Sequence, residues 1–269
     1  MDRAYQLLAR GEGPRPLGAL AAALLCTPDG PVARGIMAPL LATDGRFRMD
    51  GERVWLAPEE DERSSATIPE LNFCVLDFET NGFAPGDRAI EIGLSLWRGG
   101  EEIDFFETLL NPGTGVSPFV TRLTGIRGGD LEGQPNFQEI LPRVMEMLEG
   151  SVLVAHNLPF DGRILASEME RAGVEKMPKH SRVCTLKLAR RLLPKDDPKN
   201  LDAMAERFGL QFLARHRALG DARVTGALLH KLLDLGAESR LLDTLSDLQG
   251  LLAGEPAKDE EGRPSRSRV

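Results

Sequence analysis

The chain has 269 residues, a formal net charge of −8 and three cysteines. At about 150 residues per domain, this length predicts two domains, one with a sizeable core. The cysteines are widely spaced and form no CxxC pair, which excludes a disulfide framework and a cysteine zinc site. No apolar run approaches the roughly 20 residues of a membrane span, and the N-terminus shows no signal pattern, so we expect a soluble cytoplasmic protein.

The first 58 residues predict a small helical module. Three helical segments are followed by two strand-like segments, at 2–9, 16–26, 32–42, 46–49 and 53–56. Asp50-Gly51 between the two strands is a favoured hairpin turn. This order resembles a winged-helix domain; a helical bundle that packs on its neighbour is an equal alternative.

Residues 59–70 are charged and almost without large apolar groups, which predicts a solvated linker. A larger domain is expected over 71–253, and a disordered tail over 254–269. In this domain three strands precede a helix and a buried strand, at 73–79, 89–97, 103–110, 137–148 and 152–155. Further helices are predicted at 163–172, 185–193, 201–208 and 218–235. The pattern predicts a mixed sheet covered by helices, in the α/β or α+β class.

Two acidic residues close the first strand of this domain. Asp77 and Glu79 are two positions apart, and the alternation of side chains along a strand places both carboxylates on one face. Adjacent carboxylates raise each other's pKa unless a cation lies between them, so the pair is a candidate Mg²⁺ or Mn²⁺ site. Because D-x-E triplets are common, two solvated acids at the sheet rim are the alternative.

A second set of polar residues follows the buried strand at 152–155. His156, Asn157 and Asp161 lie just past its C-terminal end, where open α/β sheets place ligands. The alternative is that Asn157 and Asp161 are turn and N-cap residues of the next helix.

His216 and Asp221 form a third set. Five residues rotate a helix by about 500°, which would leave these two side chains about 140° apart. If both serve one site, His216 must come from the loop before the helix and Asp221 from the helix itself. The alternative is a helix N-terminal region with a surface histidine.

The ordered motifs D-x-E, H-N-x-x-F-D and H-x4-D resemble those of the DEDDh exonucleases. This RNase H-like family includes the proofreading epsilon subunit of bacterial DNA polymerase III, RNase T and oligoribonuclease. The resemblance covers about residues 71–236 and implies an α/β fold with a mixed five-stranded sheet flanked by helices. Tyr5 is the only tyrosine, so the family branch with tyrosine in the third motif is excluded and His216 is the sole candidate for that position.

The resemblance further implies two divalent ions, Mg²⁺ or Mn²⁺, held by Asp77, Glu79, Asp161 and Asp221. Two such ions activate a water and stabilise the attacking and leaving oxygens of a displacement at phosphorus. His216, with an ordinary pKa near 6.5, is suited to accept the proton of that water. The implied contacts to the terminal nucleotide, including stacking on an aromatic ring, come from Phe78, Thr80, Asn81, Gly82, His156, Asn157 and Phe160.

The expected reaction is metal-dependent 3′ to 5′ hydrolysis of terminal phosphodiester bonds of DNA, which releases nucleoside 5′-monophosphates, in proofreading or repair. A 3′ to 5′ exoribonuclease of the same chemistry is the nearest alternative. A nucleic-acid-binding or polymerase-associated regulatory module is the alternative of another class, and the presence of all four acids and His216 argues against it. The expected partners are nucleic acid with a free single-stranded or frayed 3′ end and a DNA polymerase or another replication or repair protein, without a membrane.

Two segments allow further interpretations. Between residues 176 and 223 there are twelve Lys or Arg and five acidic residues. These are typical either of solvated helix faces or of a track for the phosphates of an incoming strand. The segment 241–248 predicts a helix that packs on its own domain, with an amphipathic partner-binding helix as the alternative.

Overall fold

A computed structural model describes residues 1–9, 14–50, 52–57, 63–82, 84, 86–175 and 180–253. They group into two compact units, one of residues 1–65 with 240–253 and one of residues 66–239. The predicted tail at 254–269 and the first part of the predicted linker lie outside the described residues. No helix in the described part of the chain has the length and hydropathy needed to cross a membrane.

The first unit contains the predicted three helices and hairpin, with one short additional strand. Its elements are α1 (Asp2–Ala9), β1 (Arg15–Pro16), α2 (Leu17–Leu25), α3 (Pro31–Thr43), β2 (Phe47–Asp50), β3 (Arg53–Leu56) and a final helix, Leu245–Ala253. Strand β3 pairs antiparallel with both β1 and β2. Apolar residues of the three helices form a core with Phe47 and Val54. The winged-helix assignment stays a prediction.

The final helix, Leu245–Ala253, and residues 240–244 before it group with the first unit and not with residues 66–239. It buries Leu245, Leu248 and Leu252, and the N–H of Ser246 donates to the carbonyl of Ser64 at 2.9 Å. The predicted domain at 71–253 therefore extends beyond the second unit, because its last helix belongs to the first unit. The chain turns at Arg240, which adopts a left-handed backbone conformation with φ of 55°.

The second unit is built on a mixed five-stranded sheet, as predicted. Its elements are β4 (Asn72–Thr80), β5 (Ala89–Arg98), β6 (Glu101–Leu109), α4 (Pro118–Thr124), α5 (Phe137–Leu148), β7 (Ser151–Ala155), α6 (Leu158–Arg171), β8 (Arg182–Cys184), α7 (Thr185–Leu192), α8 (Leu201–Phe208) and α9 (Ala218–Glu238). The strand order is β6-β5-β4-β7-β8. Strands β4, β5 and β6 are antiparallel neighbours, whereas β7 is parallel to β4 and β8.

Helices cover both faces of this sheet. On one face, Leu76 and Phe78 of β4 pack with apolar residues of α5 and α6 in the main core. On the other face, α9 packs against β4 and β5, and α7 and α8 pack against α9. Because β4 is covered on both sides, its pattern is a nearly continuous apolar run rather than an alternation.

Two glycines allow α9 to lie very close to β5. A Cβ on Gly93 would overlap the backbone of Ala218 and Leu219, and a Cβ on Gly226 would overlap the Trp97 ring. The first contact joins backbone to backbone, so no side chain separates the N-terminal end of α9 from the sheet. This close approach determines where the first turn of α9 lies.

We expect Gly93→Ala to destabilise the second unit, because the added methyl group forces α9 away from the sheet. Overpacking of this kind costs about 1–3 kcal/mol in the free energy of unfolding. Gly128→Ala is the matched control, since a Cβ there meets no atom within 4 Å. Thermal and urea unfolding of both variants measure the difference; equal stabilities would contradict the described packing.

Candidate active site

Strand β4 places two acids on the sheet face that α9 covers. Asp77 lies opposite Gly93 and Glu79 lies opposite Glu91 in the antiparallel register. Side chains alternate along a strand, so Asp77 and Glu79 share the face on which Gly93 meets the start of α9. The intervening residue, Phe78, points into the core on the opposite face.

Helix α6 supplies a third acid. The helix begins after Asn157, which adopts a left-handed conformation with φ of 71° at the end of β7. Asp161 lies in the first turn and is 3 % exposed. Its Oδ1 accepts a hydrogen bond of 3.2 Å from the backbone N–H of Phe78, which ties α6 to β4 between Asp77 and Glu79.

His216 and Asp221 come from the loop before α9 and from its first turn, respectively. Helix α9 begins at Ala218, and His216 has a left-handed φ of 60°. Gly220 lets the loop fold over this turn, because a Cβ there would overlap the carbonyl of Ala214. Because His216 lies in the left-handed turn before α9, its side chain and that of Asp221 point to the same side of the helix. In a continuous helix the two side chains would point about 140° apart.

The structure brings all five predicted residues together. Ligand atoms of Glu79, His216 and Asp221 lie within 4.8 Å of one another. The pKa of Asp77 is affected by the charges of Asp161, Asp221 and Glu79, which shows that the four acids form one electrostatic cluster. Residues that are up to 144 positions apart in the chain thus meet at one end of the sheet.

Burial and mutual repulsion raise the pKa of the acids. Burial is the larger cause for Asp77, whose pKa is well above the ordinary value, and Asp161, Asp221 and Glu79 add to it. Burial also raises the pKa of Asp161. The pKa of Glu79 rises to about 7 and that of Asp221 to about 6, again chiefly through burial. Without a bound cation, these raised pKa values favour protonation of part of the cluster at neutral pH.

Arg215 provides a positive charge at the edge of this cluster. Its Nη1 donates to Oδ2 of Asp221, and its Nε and Nη2 bind Asp202 at 2.7 and 3.0 Å. Burial and the nearby Arg215 lower the pKa of His216. The imidazole is therefore neutral at pH 7, the state in which a histidine accepts a proton.

The donor set of the cluster fits divalent cations. Carboxylate oxygens are the ligands that Mg²⁺ and Mn²⁺ prefer. In the part of the chain that the structure describes, Oδ1 of Asp221 is buried without a hydrogen-bond partner. A buried carboxylate oxygen without a donor is costly, and a cation would satisfy it and reduce the repulsion among the acids.

The structure corrects one expected nucleotide contact near β4. Phe78 is 4 % exposed and packs 6.4 Å from the Phe137 ring, centroid to centroid, so its ring is not placed to stack on a base. Thr80 is buried and its hydroxyl donates to the carbonyl of Gly82 at 2.6 Å. The Asn81 side chain accepts from the N–H of Arg88 and donates to the hydroxyl of Thr114 and the carbonyl of Gly115. These bonds hold the loop after β4 in place.

The residues after β7 have different environments. His156 uses both ring nitrogens within the protein, at 2.9 Å from the hydroxyl of Thr185 and at 3.0 Å from the carbonyl of Lys199. Burial lowers its pKa to about 4, so it is a neutral structural link. Asn157 is exposed, and the half-buried Phe160 has the Arg163 guanidinium 5.4 Å from its ring centroid. Substrate contacts at these positions stay predictions.

Part of the basic stretch at 176–223 is used inside the protein. Arg207 pairs with Asp197, Arg217 with Glu91 and Arg223 with Glu102. The Lys199 ammonium donates to two backbone carbonyls. These cations are thus committed to internal partners, which reduces the charge that the stretch offers to a strand of nucleic acid.

The sequence interpretation missed two charged residues beside the site, Glu91 and Arg217. Glu91 is 1 % exposed and accepts from Arg217 and from the N–H of Ala218. The available signal was an acid inside the apolar run Ala89-Ile-Glu-Ile of β5. A buried charge requires partners, but the pattern does not reveal where they come from.

Comparison with known proteins identifies the family. The profile of the Exonuclease family (RNase T) matches residues 74–229, which include all five clustered residues. The chain belongs to this exonuclease family. The predicted resemblance to DEDDh 3′–5′ exonucleases and the predicted RNase H-like fold are confirmed.

The relatives of this exonuclease domain include parts of much larger proteins. It is 38 % identical over 168 residues to a PolC-type DNA polymerase III of Caldanaerobacter subterraneus, covering 61 % of this chain and 12 % of that protein. For the PolC-type enzyme of Thermotoga maritima the identity is 37 % over 172 residues, covering 63 % and 12 %. The structure of exonuclease X with 5′ overhanging duplex DNA matches with a TM-score of 0.53 and 26 % identity, covering 68 % of this chain and 99 % of that one.

The raised pKa values predict that metal-free stability falls as pH rises. Glu79 has an ordinary pKa of 4.5 and a folded pKa of about 7, so between these values the native state binds more protons than the unfolded state. The free energy of unfolding then decreases with increasing pH. We expect Glu79→Gln to reduce this decrease in chelator-treated protein, as measured by unfolding from pH 5 to 7.5.

Glu101→Gln, at an exposed acid of β6, is the control for this experiment and should keep the wild-type slope. Addition of Mn²⁺ should stabilise the wild type more than Glu79→Gln, because a ligand stabilises the state that binds it. Parallel pH slopes for wild type and Glu79→Gln would contradict the described electrostatics.

Proposed function

We propose that the protein is a metal-dependent 3′ to 5′ exonuclease that acts on DNA. The observation that carries the proposal is the convergence of Asp77, Glu79, Asp161 and Asp221 with the neutral His216. Such a cluster binds cations beside a proton acceptor, which are the two requirements for hydrolysis of a phosphodiester.

The four carboxylates are the proposed ligands of two divalent cations, Mg²⁺ or Mn²⁺. When bound, these ions supply a nucleophilic water and charge stabilisation for the displacement at phosphorus. Asp161 and Asp221 are almost fully buried, whereas Asp77 and Glu79 are partly accessible. The buried Asp161 and Asp221 therefore form the floor of the proposed site, and the 3′ end approaches from the side of the partly accessible Asp77, Glu79 and His216.

His216 is the proposed general base. Its imidazole lies among the carboxylates, and its lowered pKa keeps it neutral at pH 7, so a ring nitrogen can take the proton of the attacking water. Asp202 contributes a smaller opposing effect on that pKa. After proton transfer the negative charge of Asp202 favours the imidazolium.

DNA is the proposed substrate, with a single-stranded or frayed 3′ end, and nucleoside 5′-monophosphates are the proposed products. Two kinds of relative support DNA over RNA: the polymerases are named as DNA polymerases, and exonuclease X was solved with duplex DNA. The polymerase relatives also support a role in proofreading or repair, beside a DNA polymerase or another replication or repair protein. A cytoplasmic location stays a prediction.

The test is degradation of 5′-labelled DNA and RNA oligonucleotides of the same sequence. We expect stepwise shortening from the 3′ end of DNA in Mg²⁺ or Mn²⁺ and none in chelator. Faster shortening of RNA would reassign the substrate, and internal cleavage or immediate release of the labelled 5′ nucleotide would contradict the proposed polarity.

Substitutions link this activity to the cluster. We expect His216→Ala to reduce kcat by about 10²–10⁴, the contribution of a general base, with a smaller change in KM. Asp221→Asn should lose activity together with Mn²⁺ binding. Asp104→Asn is the control, because Asp104 pairs with Arg143 away from the cluster, and it should retain wild-type kcat.

A further inference from the structure

Glu91 is a buried acid that the proposed chemistry does not use. It lies on β5 between Ile90 and Ile92, is 1 % exposed, and is directly opposite Glu79 in the strand register. Its negative charge contributes to raising the pKa of Glu79. An acid at this position therefore adds repulsion to a cluster that is already acidic, so its presence requires a compensating role.

Both oxygens of Glu91 are occupied by donors from the start of α9. Oε1 accepts from Nε and Nη2 of Arg217 at 2.9 and 2.6 Å, and Oε2 accepts from the backbone N–H of Ala218 at 3.0 Å. The side chains whose ligand atoms lie within 4.8 Å of one another are Glu79, His216 and Asp221, and Glu91 does not belong to that group. The carboxylate instead binds the residues that join the loop to the helix.

The contact of Glu91 with Arg217 and Ala218 lies in the chain between His216 and Asp221. Arg217 directly follows His216, and Ala218 is the first residue of α9, one turn before Asp221. The N–H groups of a first helical turn have no intrahelical acceptor, and a carboxylate there satisfies one and interacts favourably with the helix dipole. Arg217 has no side-chain cap on the helix, so the cap is supplied from β5.

The same strand carries Gly93, which faces the backbone of Ala218. Glu91 and Gly93 are two residues apart and therefore lie on one face. Gly93 allows the helix to approach, and Glu91 fixes its end by charge-assisted hydrogen bonds, which are stronger than neutral ones. Together they determine the position of the helix start relative to Asp77 and Glu79, which lie opposite them.

We propose that Glu91, through Arg217 and Ala218, is a positioning residue that holds His216 and Asp221 against Asp77 and Glu79. It acts by fixing the start of α9 and not by contact with cation or substrate. The inference deepens the proposed function, on which its kinetic readout rests, but its other two readouts, Mn²⁺ affinity and amide exchange, do not need nuclease activity.

Glu91→Gln is the main test. The amide keeps the size of the side chain but offers one acceptor oxygen, so its NH₂ group must face either Arg217 or the N–H of Ala218. Loss of a residue that orients metal ligands weakens metal affinity or activity about 10–100-fold. We expect the Mn²⁺ dissociation constant and kcat to change by such factors, while KM for a DNA oligonucleotide changes little.

Glu102→Gln is the matched control. Glu102 binds Nε of Arg223 at 2.9 and 3.0 Å and so also joins the sheet to α9, but it lies on β6 opposite Trp97, toward the other end of β5. We expect this variant to lose thermal stability without a change in Mn²⁺ affinity. Arg217→Ala and Arg217→Lys give graded tests, in which the lysine variant should recover part of the affinity lost in the alanine variant.

Hydrogen exchange of the metal-free proteins provides the second readout. We expect faster exchange of the amides at 216–222 in Glu91→Gln than in wild type, and wild-type rates there in Glu102→Gln. If Glu91→Gln does not fold, Arg217→Ala, whose side chain is 45 % exposed in the wild type, carries the same comparison. Mn²⁺ affinity and exchange equal to those of the Glu102→Gln control would overturn the proposal.

The outcomes separate this inference from the proposed function. Normal Mn²⁺ binding by the wild type without shortening of any oligonucleotide would refute the exonuclease and leave the positioning role standing. Nuclease activity with unchanged affinity, kcat and exchange in Glu91→Gln would refute the positioning role and leave the exonuclease standing.

Discussion

The desolvation and mutual repulsion of four clustered carboxylates are the constraint that the second unit has to meet. Asp77, Glu79, Asp161 and Asp221 come from β4, α6 and α9, and burial, with repulsion from neighbouring acids as the smaller cause, raises the pKa of each. Close packing of the helices on the sheet, and hydrogen-bond donors such as the N–H of Phe78, offset the free energy that this clustering costs. A cluster that is unfavourable when metal-free is one in which cation binding is strongly favoured.

Much of the surrounding structure can be understood as a means of fixing two helix starts at one end of the sheet. Helix α6 is anchored farther along by Glu168, which is 1 % exposed, binds Arg88 through both oxygens and accepts from the N–H of Ala89. Helix α9 is anchored by Glu91 in a closely similar way. In both cases a buried carboxylate accepts from an arginine and from a backbone N–H, so the sheet and the helix cannot separate without leaving a buried charge unpaired.

Local periodicity predicted a mixed sheet and its main helices, and the resemblance of three ordered motifs to an exonuclease family implied the fifth strand and the joint site of the five residues. Strand β8 and helix α4 were missed, since three and seven residues are too short for a periodic signal. The expected stacking by Phe78 failed because alternation along β4 places its ring in the core once Asp77 and Glu79 face α9. Glu91 was missed because its partner Arg217 is 126 positions away, a pairing that only the folded chain reveals.

Arg215 joins two acids that differ in exposure, the buried Asp221 and the exposed Asp202. Its guanidinium binds Asp202 with two nitrogens and Asp221 with a third. Because the guanidinium is rigid and planar, Nη1 moves away from Asp221 only if the pair with Asp202 moves as well. Replacement of the arginine by a cation at Asp221 is therefore linked to the pairing of Arg215 with an exposed acid outside the cluster.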